Sequence, residues 1–347
     1  PTPIPILLPR DVIVPADYGG NPLDGTGTPS LLTDVCVVGT HGQKITRIGG
    51  LGPYTGLESL VLRSHLITKM EGLRPHLAGG RLRKLELYDN AVEALEELGP
   101  DGDGRPGVGR ALTCLDMSYN AIRDMGPVAH CPHLVELYLA NNKLKTLEGL
   151  QGLKALKKID LGANRIRHMD GEQLGGMESL EELWLGKNKI TEIQGLEKLT
   201  RLRRLDVQAN RLTHVSGLAA CAGTLEELYL SHNDIDDAGA SRPDGLALPL
   251  TKLTVIDASR NALTSCAPFG HLAALEDLWL GSNRVAAFDD VAPLGDVPAL
   301  ETLYLEHNPV QAEFGYRKRL KELVPSLAQI DADAVGMPGR GGAGEVP

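Results

Sequence analysis

Aromatic residues are scarce: the 347 residues hold two Trp, eight Tyr and three Phe, alongside 40 Gly and 22 Pro. A closely packed two-layer enzyme core normally carries more rings and fewer chain breakers. A single large core is therefore disfavoured, whereas a repeat array grows by adding units and has no such size ceiling. Cysteine is rare too. Cys36, Cys114, Cys131, Cys221 and Cys266 are odd in number, contain no CxxC pair and lie beside apolar positions. That excludes a disulfide framework and fits small core residues in a reducing, intracellular compartment. No apolar run approaches the roughly 18 residues of a membrane span, and no signal-peptide pattern is present. The chain begins at Pro1, as expected of a processed or trimmed N-terminus. Positive charge is in deficit, 35 Lys and Arg against 45 Asp and Glu, for a formal charge of -10. Nucleic acid is thus a poor partner and protein a better one.

Catalytic and cofactor motifs are also missing. GxSxG, HExxH and P-loop sequences do not occur. Gly102, Gly104 and Gly107 spell GxGxxG, but Gly99, Pro100 and Pro106 surround them, where a dinucleotide site needs a preceding strand and a following helix. His130, Cys131 and His133 lack a second ligand pair at metal-binding spacing and read as a solvated turn. No cofactor or metal is expected.

What the chain does have is one phrase, copied: LDMSYN, LYLANN, IDLGAN, LWLGKN, LDVQAN, LYLSHN, IDASRN, LWLGSN, LYLEHN. With a degenerate copy around Cys36 and cleaner ones around Val61 (His65 in the Asn slot) and Glu86, it makes twelve units, and four of the steps between them are 22 residues. This period and the LxxLxLxxN grammar define a leucine-rich repeat. The expected fold is an α/β solenoid: a curved array with a concave parallel sheet, a short 3₁₀ or helical convex side and a C-terminal helical cap. Side chains alternate along each strand, so Leu137 and Leu139 point inward and Tyr138 outward. The Asn column from Asn90 to Asn308 is a structural ladder for open backbone groups.

The boundaries follow. Residues 1–32 are a Pro-rich extended arm, either flexible or ordered on a partner. The solenoid occupies 33–308, with insertions near 99–110 and 238–250 expected to project as loops. A cap at 309–335, with a helix around Tyr316 to Leu323, covers the last apolar edge, and 336–347 is a Gly-rich, disordered tail.

The variable residue between the two strand leucines is Asp116, Tyr138, Asp160, Trp184, Asp206, Tyr229, Asp257, Trp279 and Tyr304. Both tryptophans fall in this column, and Asp277 adds a carboxylate two residues before Trp279. Rings that merely stack along the sheet would explain this, but carboxylates interrupt the run. Outward rings and acids over an arc on the order of 40 Å match the footprint of a folded protein. Trp and Tyr would be the anchors, and the aspartates would select Lys or Arg on the partner.

From LDMSYNAIRDM through LYLANNKLKTLEGL and LWLGKNKITEIQGL to LYLEHNPVQAEFGYRKRLKELVPSLAQIDA, the chain resembles the leucine-rich-repeat regulatory subunit 7 family of protein phosphatase 1. The resemblance covers about residues 33–334. It implies a non-catalytic subunit that holds the phosphatase catalytic chain on its concave face, works with inhibitor 3, and prefers a catalytic chain incompletely loaded with metals. It also implies contact positions at Asp116, Tyr138, Asp160, Trp184, Tyr229, Asp257, Asp277, Trp279 and Tyr304, in a monomer of the nucleus and cytoplasm. The Pro-rich arm, both insertions and Asp206 depart from the family pattern. They leave open a ciliary-axoneme or cytoskeletal scaffold that docks other proteins. An RNA-associated repeat protein is disfavoured by the charge.

Overall fold

The computed structural model describes residues 32–40, 44–49, 51, 54–74 and 80–335. The expected arm, apart from Leu32, and the expected tail lie outside these residues. Two compact units divide the chain, Pro1–Leu183 and Trp184–Pro347.

In the first unit, β1 (Asp34–Val38), β2 (Ser59–Arg63), β3 (Lys84–Glu86), β4 (Cys114–Asp116), β5 (Glu136–Tyr138) and β6 (Lys158–Asp160) follow one another. Each pairs in parallel with the next, so Leu85, Leu115, Leu137 and Ile159 stand in one row. All four are fully buried, and the residues on either side of them face outward. A short helix, α1 (Gly171–Leu174), is capped by Asp170, whose side chain accepts from the N–H groups of Glu172 and Gln173.

β7 (Glu182–Trp184) crosses the division between the units. The second unit repeats the pattern with β8 (Arg204–Asp206), β9 (Glu227–Tyr229), β10 (Val255–Asp257), β11 (Asp277–Trp279) and β12 (Thr302–Tyr304). Leu205, Leu228, Ile256, Leu278 and Leu303 form its buried row. The helices α2 (Asp237–Ala240), α3 (Phe288–Val291) and α4 (Tyr316–Leu323) belong to this unit. After α4, β13 (Gln329–Ile330) pairs in parallel with β12, and β14 (Asp333–Ala334) turns back antiparallel. Leu320 of α4 is buried, and Arg317 binds the carbonyls of Ile330 and Asp333 at 2.7 and 3.0 Å.

From β2 to β12 the turn after each strand closes the same way. The residue before the ladder Asn adopts a left-handed conformation, φ 54° at Asn141 and 56° at His232. Such a φ costs an L-residue about 1–2 kcal/mol. The ladder offsets it: Asn142 Nδ2 donates to the carbonyls of Met117 and Leu139 at 3.0 Å, and its Oδ1 accepts from Ile122 N–H at 3.0 Å. Asn283 repeats this with Ala258, Leu280 and Leu263. His65 fills the slot in the first unit, its Nε2 meeting the Val37 carbonyl and its Nδ1 the Ile45 N–H, both at 3.2 Å. Asp331 ends the series by accepting from Leu305 N–H at 2.8 Å.

The insertions do not simply project. At 99–110, Asp101 Oδ1 accepts from the N–H groups of Asp103 and Arg105 and closes a tight turn, while Val108 is buried. The GxGxxG residues thus lie in and after a turn, not between a strand and a helix. At 238–250, Ala240, Leu246 and Leu250 are buried, because these apolar residues supply the packing that a loop could not.

Candidate protein-docking face

A three-residue strand whose middle side chain is buried presents two outward columns, not one. The first holds the nine sequence-predicted positions from Asp116 to Tyr304. The second, two residues earlier in each strand, runs Lys84, Cys114, Glu136, Lys158 in the first unit and Arg204, Glu227, Val255, Asp277, Thr302 in the second, with Glu182 beginning β7. Sequence reasoning took only Asp277 from it, although period-two alternation applies equally to every strand.

The two columns are chemically joined. In the first unit, Tyr138 donates to Glu136 Oε2 at 3.3 Å, Lys158 Nζ stands 5.9 Å from its ring centroid, and Lys158 pairs with Glu182 at 2.9 Å. Burial and the adjacent Glu136 push the Tyr138 phenol well above its ordinary pKa. Glu86 is buried between Arg63 and Lys84 at 2.5 and 2.8 Å. Burial alone would raise its carboxyl, but the two cations outweigh this and hold it below the ordinary range. Tyr88 and Tyr119, absent from the predicted column, pack with ring centroids 5.1 Å apart at the strand ends.

In the second unit the rings meet. Trp184 and Tyr229 are two strands apart, yet they stack at 6.4 Å and 18° above the Asp206 strand. Arg204 lies 5.2 Å from the Trp184 ring and pairs with Glu227, which also accepts from Tyr229 at 2.7 Å. Burial, reinforced by Glu227, pushes the Tyr229 phenol up to about 12. Trp279 and Tyr304 pack edge to face at 6.2 Å, and Gln329 donates to Tyr304 Oη at 2.7 Å. Acidic residues therefore do not keep the rings apart as expected.

Asp206 requires a correction. It is 3% exposed, and its carboxylate accepts from both Gln208 N–H and Gln208 Nε2. An Asp so used cannot select a cation on a partner. The other column aspartates have a local role as well: Asp116, Asp160 and Asp257 each accept at 2.9 Å from the N–H two residues on, from Ser118, Gly162 and Ser259. They remain partly exposed. Burial lifts Asp116 and Asp160 above the ordinary carboxylate range despite those donors, so a cation brought against either would find a charge worth stabilising.

The cysteines and histidines do not converge. Cys131, Cys221 and Cys266 are buried, and burial pushes the Cys131 thiol up to about 12, while His130 and His133 are exposed. All five cysteines are free. No helix among the described residues is long and apolar enough to cross a membrane.

Models of leucine-rich repeats match residues 154–212, 110–152 with 132–169, and 224–242. Residues 110–212 and 224–242 therefore carry leucine-rich repeats, in keeping with the repeat fold described above. A leucine-rich-repeat protein of Leptospira interrogans shares the fold at a TM-score of 0.68 and 22% identity, covering 83% of this chain and 76% of its own. An internalin of Listeria monocytogenes does so at 0.56 and 19%, covering 87% of each. In sequence, the chain is similar to the protein phosphatase 1 regulatory inhibitor subunit PPP1R7 homolog of Arabidopsis thaliana, 34% identical over 182 residues. The match takes in 51% of this chain and 54% of the relative, so the chain spans about half the length of that protein.

Proposed function

We propose that this leucine-rich-repeat protein is a non-catalytic regulatory subunit of serine/threonine protein phosphatase 1, whose outer sheet faces bind the catalytic subunit. The observation that carries the reading is the Trp279–Tyr304 pair with Asp257 and Asp277 beside it, on one outward sheet face. Edge-to-face aromatic anchors flanked by carboxylates are the makings of a binding hot spot. Trp279 Nε1 is shielded from solvent and has no hydrogen-bond partner among the described residues. An unmade bond of that kind costs about 1–3 kcal/mol, so a partner that repacks the ring and offers an acceptor would recover it. The named relative supports the choice of phosphatase, and inhibitor 3 is the expected companion in holoenzyme assembly. The same reading puts the working pool in the nucleus and cytoplasm.

The test is capture of purified phosphatase 1 catalytic subunit by the full chain. Loss of several kcal/mol of affinity is expected when Asp257→Ala, Trp279→Ala and Tyr304→Ala are combined. Capture unchanged by the triple substitution would overturn the docking face. If the wild type ignores the phosphatase but retains axonemal or tubulin-associated proteins, the scaffold reading replaces it.

A further inference from the structure

A second surface lies on the side of the first unit where the chain leaves the ladder. Arg123, Lys145 and Arg167 each stand three residues after a ladder asparagine, Asn120, Asn142 and Asn164. Lys143 and Arg165 stand one residue after. Backbone bonds fix these positions in stacked rows: Lys143 N–H donates to Ile122 and Arg165 N–H to Leu144, both at 2.8 Å. With repeats about 4.8 Å apart, five cations share a patch roughly 10 Å deep. Four are exposed and Lys143 is half-buried.

Like charges stacked in register oppose one another and need neutralisation. None of the five cations forms an ion pair among the described residues. Of the carboxylates near the stripe, Asp124 accepts from Gly126 N–H at 2.8 Å and Asp170 from the N–H groups it caps, while Glu148, three residues after Lys145, and Glu93, three after Asn90, are exposed. The outer sheet face is handled oppositely: Arg63, Lys84, Lys158 and Arg204 all have a glutamate partner. In the second unit, the positions three after the asparagines are Thr191, Thr213, Asp236, Thr264, Ala286 and Gln311, with no cation among them. The three-after column thus carries cations in three consecutive repeats only, whereas the one-after row holds Lys189, Arg211 and Arg284 in the second unit, in a chain whose net charge is -10.

We infer that this stripe is a docking site for an acidic segment of a partner protein, separate from the aromatic face. Charge complementarity selects a run of Asp or Glu side chains. The patch is too short, and the chain as a whole too acidic, to favour a long polyphosphate strand.

The experiment is fluorescence anisotropy of a labelled short poly-glutamate peptide titrated with the full chain. Wild type is compared with Arg123→Glu, Lys145→Glu and Arg167→Glu combined, with the corresponding triple Gln variant, and with Trp279→Ala plus Tyr304→Ala. Binding should weaken about tenfold or more in the Glu variant, less in the Gln variant, and not at all in the aromatic variant. Equal binding by the wild type and the Glu variant, or no binding by the wild type, overturns the inference. So does a single-stranded RNA oligonucleotide that binds more tightly than the peptide through the same three residues. Thermal melting followed by circular dichroism checks that the exposed substitutions leave the fold intact.

Discussion

The two units build the same turn and furnish it differently. In the first, the sheet positions themselves form a lattice of paired charges around Tyr138, with the Tyr88–Tyr119 pair beyond the strand ends: Glu86 lies between Arg63 and Lys84, and Tyr138 against Glu136 and Lys158. In the second, Trp184 with Tyr229 and Trp279 with Tyr304 form two aromatic clusters, and charges serve to orient the rings. Strand register, buried leucine row and asparagine ladder are common to both. Folding therefore leaves the outward residues free to vary, and recognition can be tuned without disturbing the stack.

The largest expected difference between the units is Trp184→Ala against Tyr138→Ala. Removing Trp184 deletes the ring stacked on Tyr229 and its cation–π contact with Arg204. About 3 kcal/mol of local stability should be lost. Removing Tyr138 deletes one hydrogen bond and one cation contact at a half-exposed ring, for about 1 kcal/mol. Hydrogen exchange at the Leu185 and Val207 amides, compared with Leu139, reads each effect locally. Equal costs would mean that the aromatic clusters are no more structural than the ionic lattice.

Much of this was readable in advance, for a physical reason. A strand only three residues long has one buried position, so LxL marks it. The Asn three residues past the second leucine has to complete the turn. The helix Tyr316–Leu323 was evident because the repeat grammar breaks there and an amphipathic segment takes over. What the sequence concealed depends on side-chain reach across strands. Trp184 and Tyr229 lie in different repeats with Asp206 between them, and only the width of the rings brings them together. The buried Leu246 and Leu250 had no repeat partner in the pattern, so their stretch looked like a projecting loop. The second outward column was accessible by alternation alone, but its residues pair with one another and show no common chemical type along the chain.

A smaller effect should sharpen the ionic side of the comparison. Glu86→Gln leaves Arg63 and Lys84 facing an amide on a buried strand residue. Because Arg63 and Lys84 remain nearly half exposed, solvent discounts the loss to about 1 kcal/mol. The folded pKa of Glu86 lies below its ordinary value. Its contribution is therefore fully present above the unfolded pKa and disappears as the pH falls through the folded one. Denaturant midpoints measured from neutral to acidic pH should converge for wild type and Glu86→Gln at the acid end. A constant gap would show that the lattice acts by packing and not by charge.

The smallest predicted effect concerns the ladder slot itself, filled by Asn283 in the second unit and by His65 in the first. Burial is the leading cause that holds the His65 pKa below its ordinary 6.5, and the imidazole must be neutral for Nδ1 to accept from Ile45 N–H. Above pH 6.5 both the folded and the unfolded state carry a neutral ring, and the slot is pH-independent. As the pH falls below that value the unfolded state takes up a proton first, so stability is lost progressively down to the folded pKa. Asparagine does the same bonding without titrating. His65→Asn should abolish an acid-dependent loosening of the β1 and Ile45 amides while leaving the amides around Asn283 unchanged at every pH. Amide exchange followed at neutral pH and near pH ~5 makes the measurement. If the β1 amides loosen equally in both proteins, the acid sensitivity of the first unit belongs to its carboxylates, Glu86 above all, and the ladder is indifferent to which residue fills it.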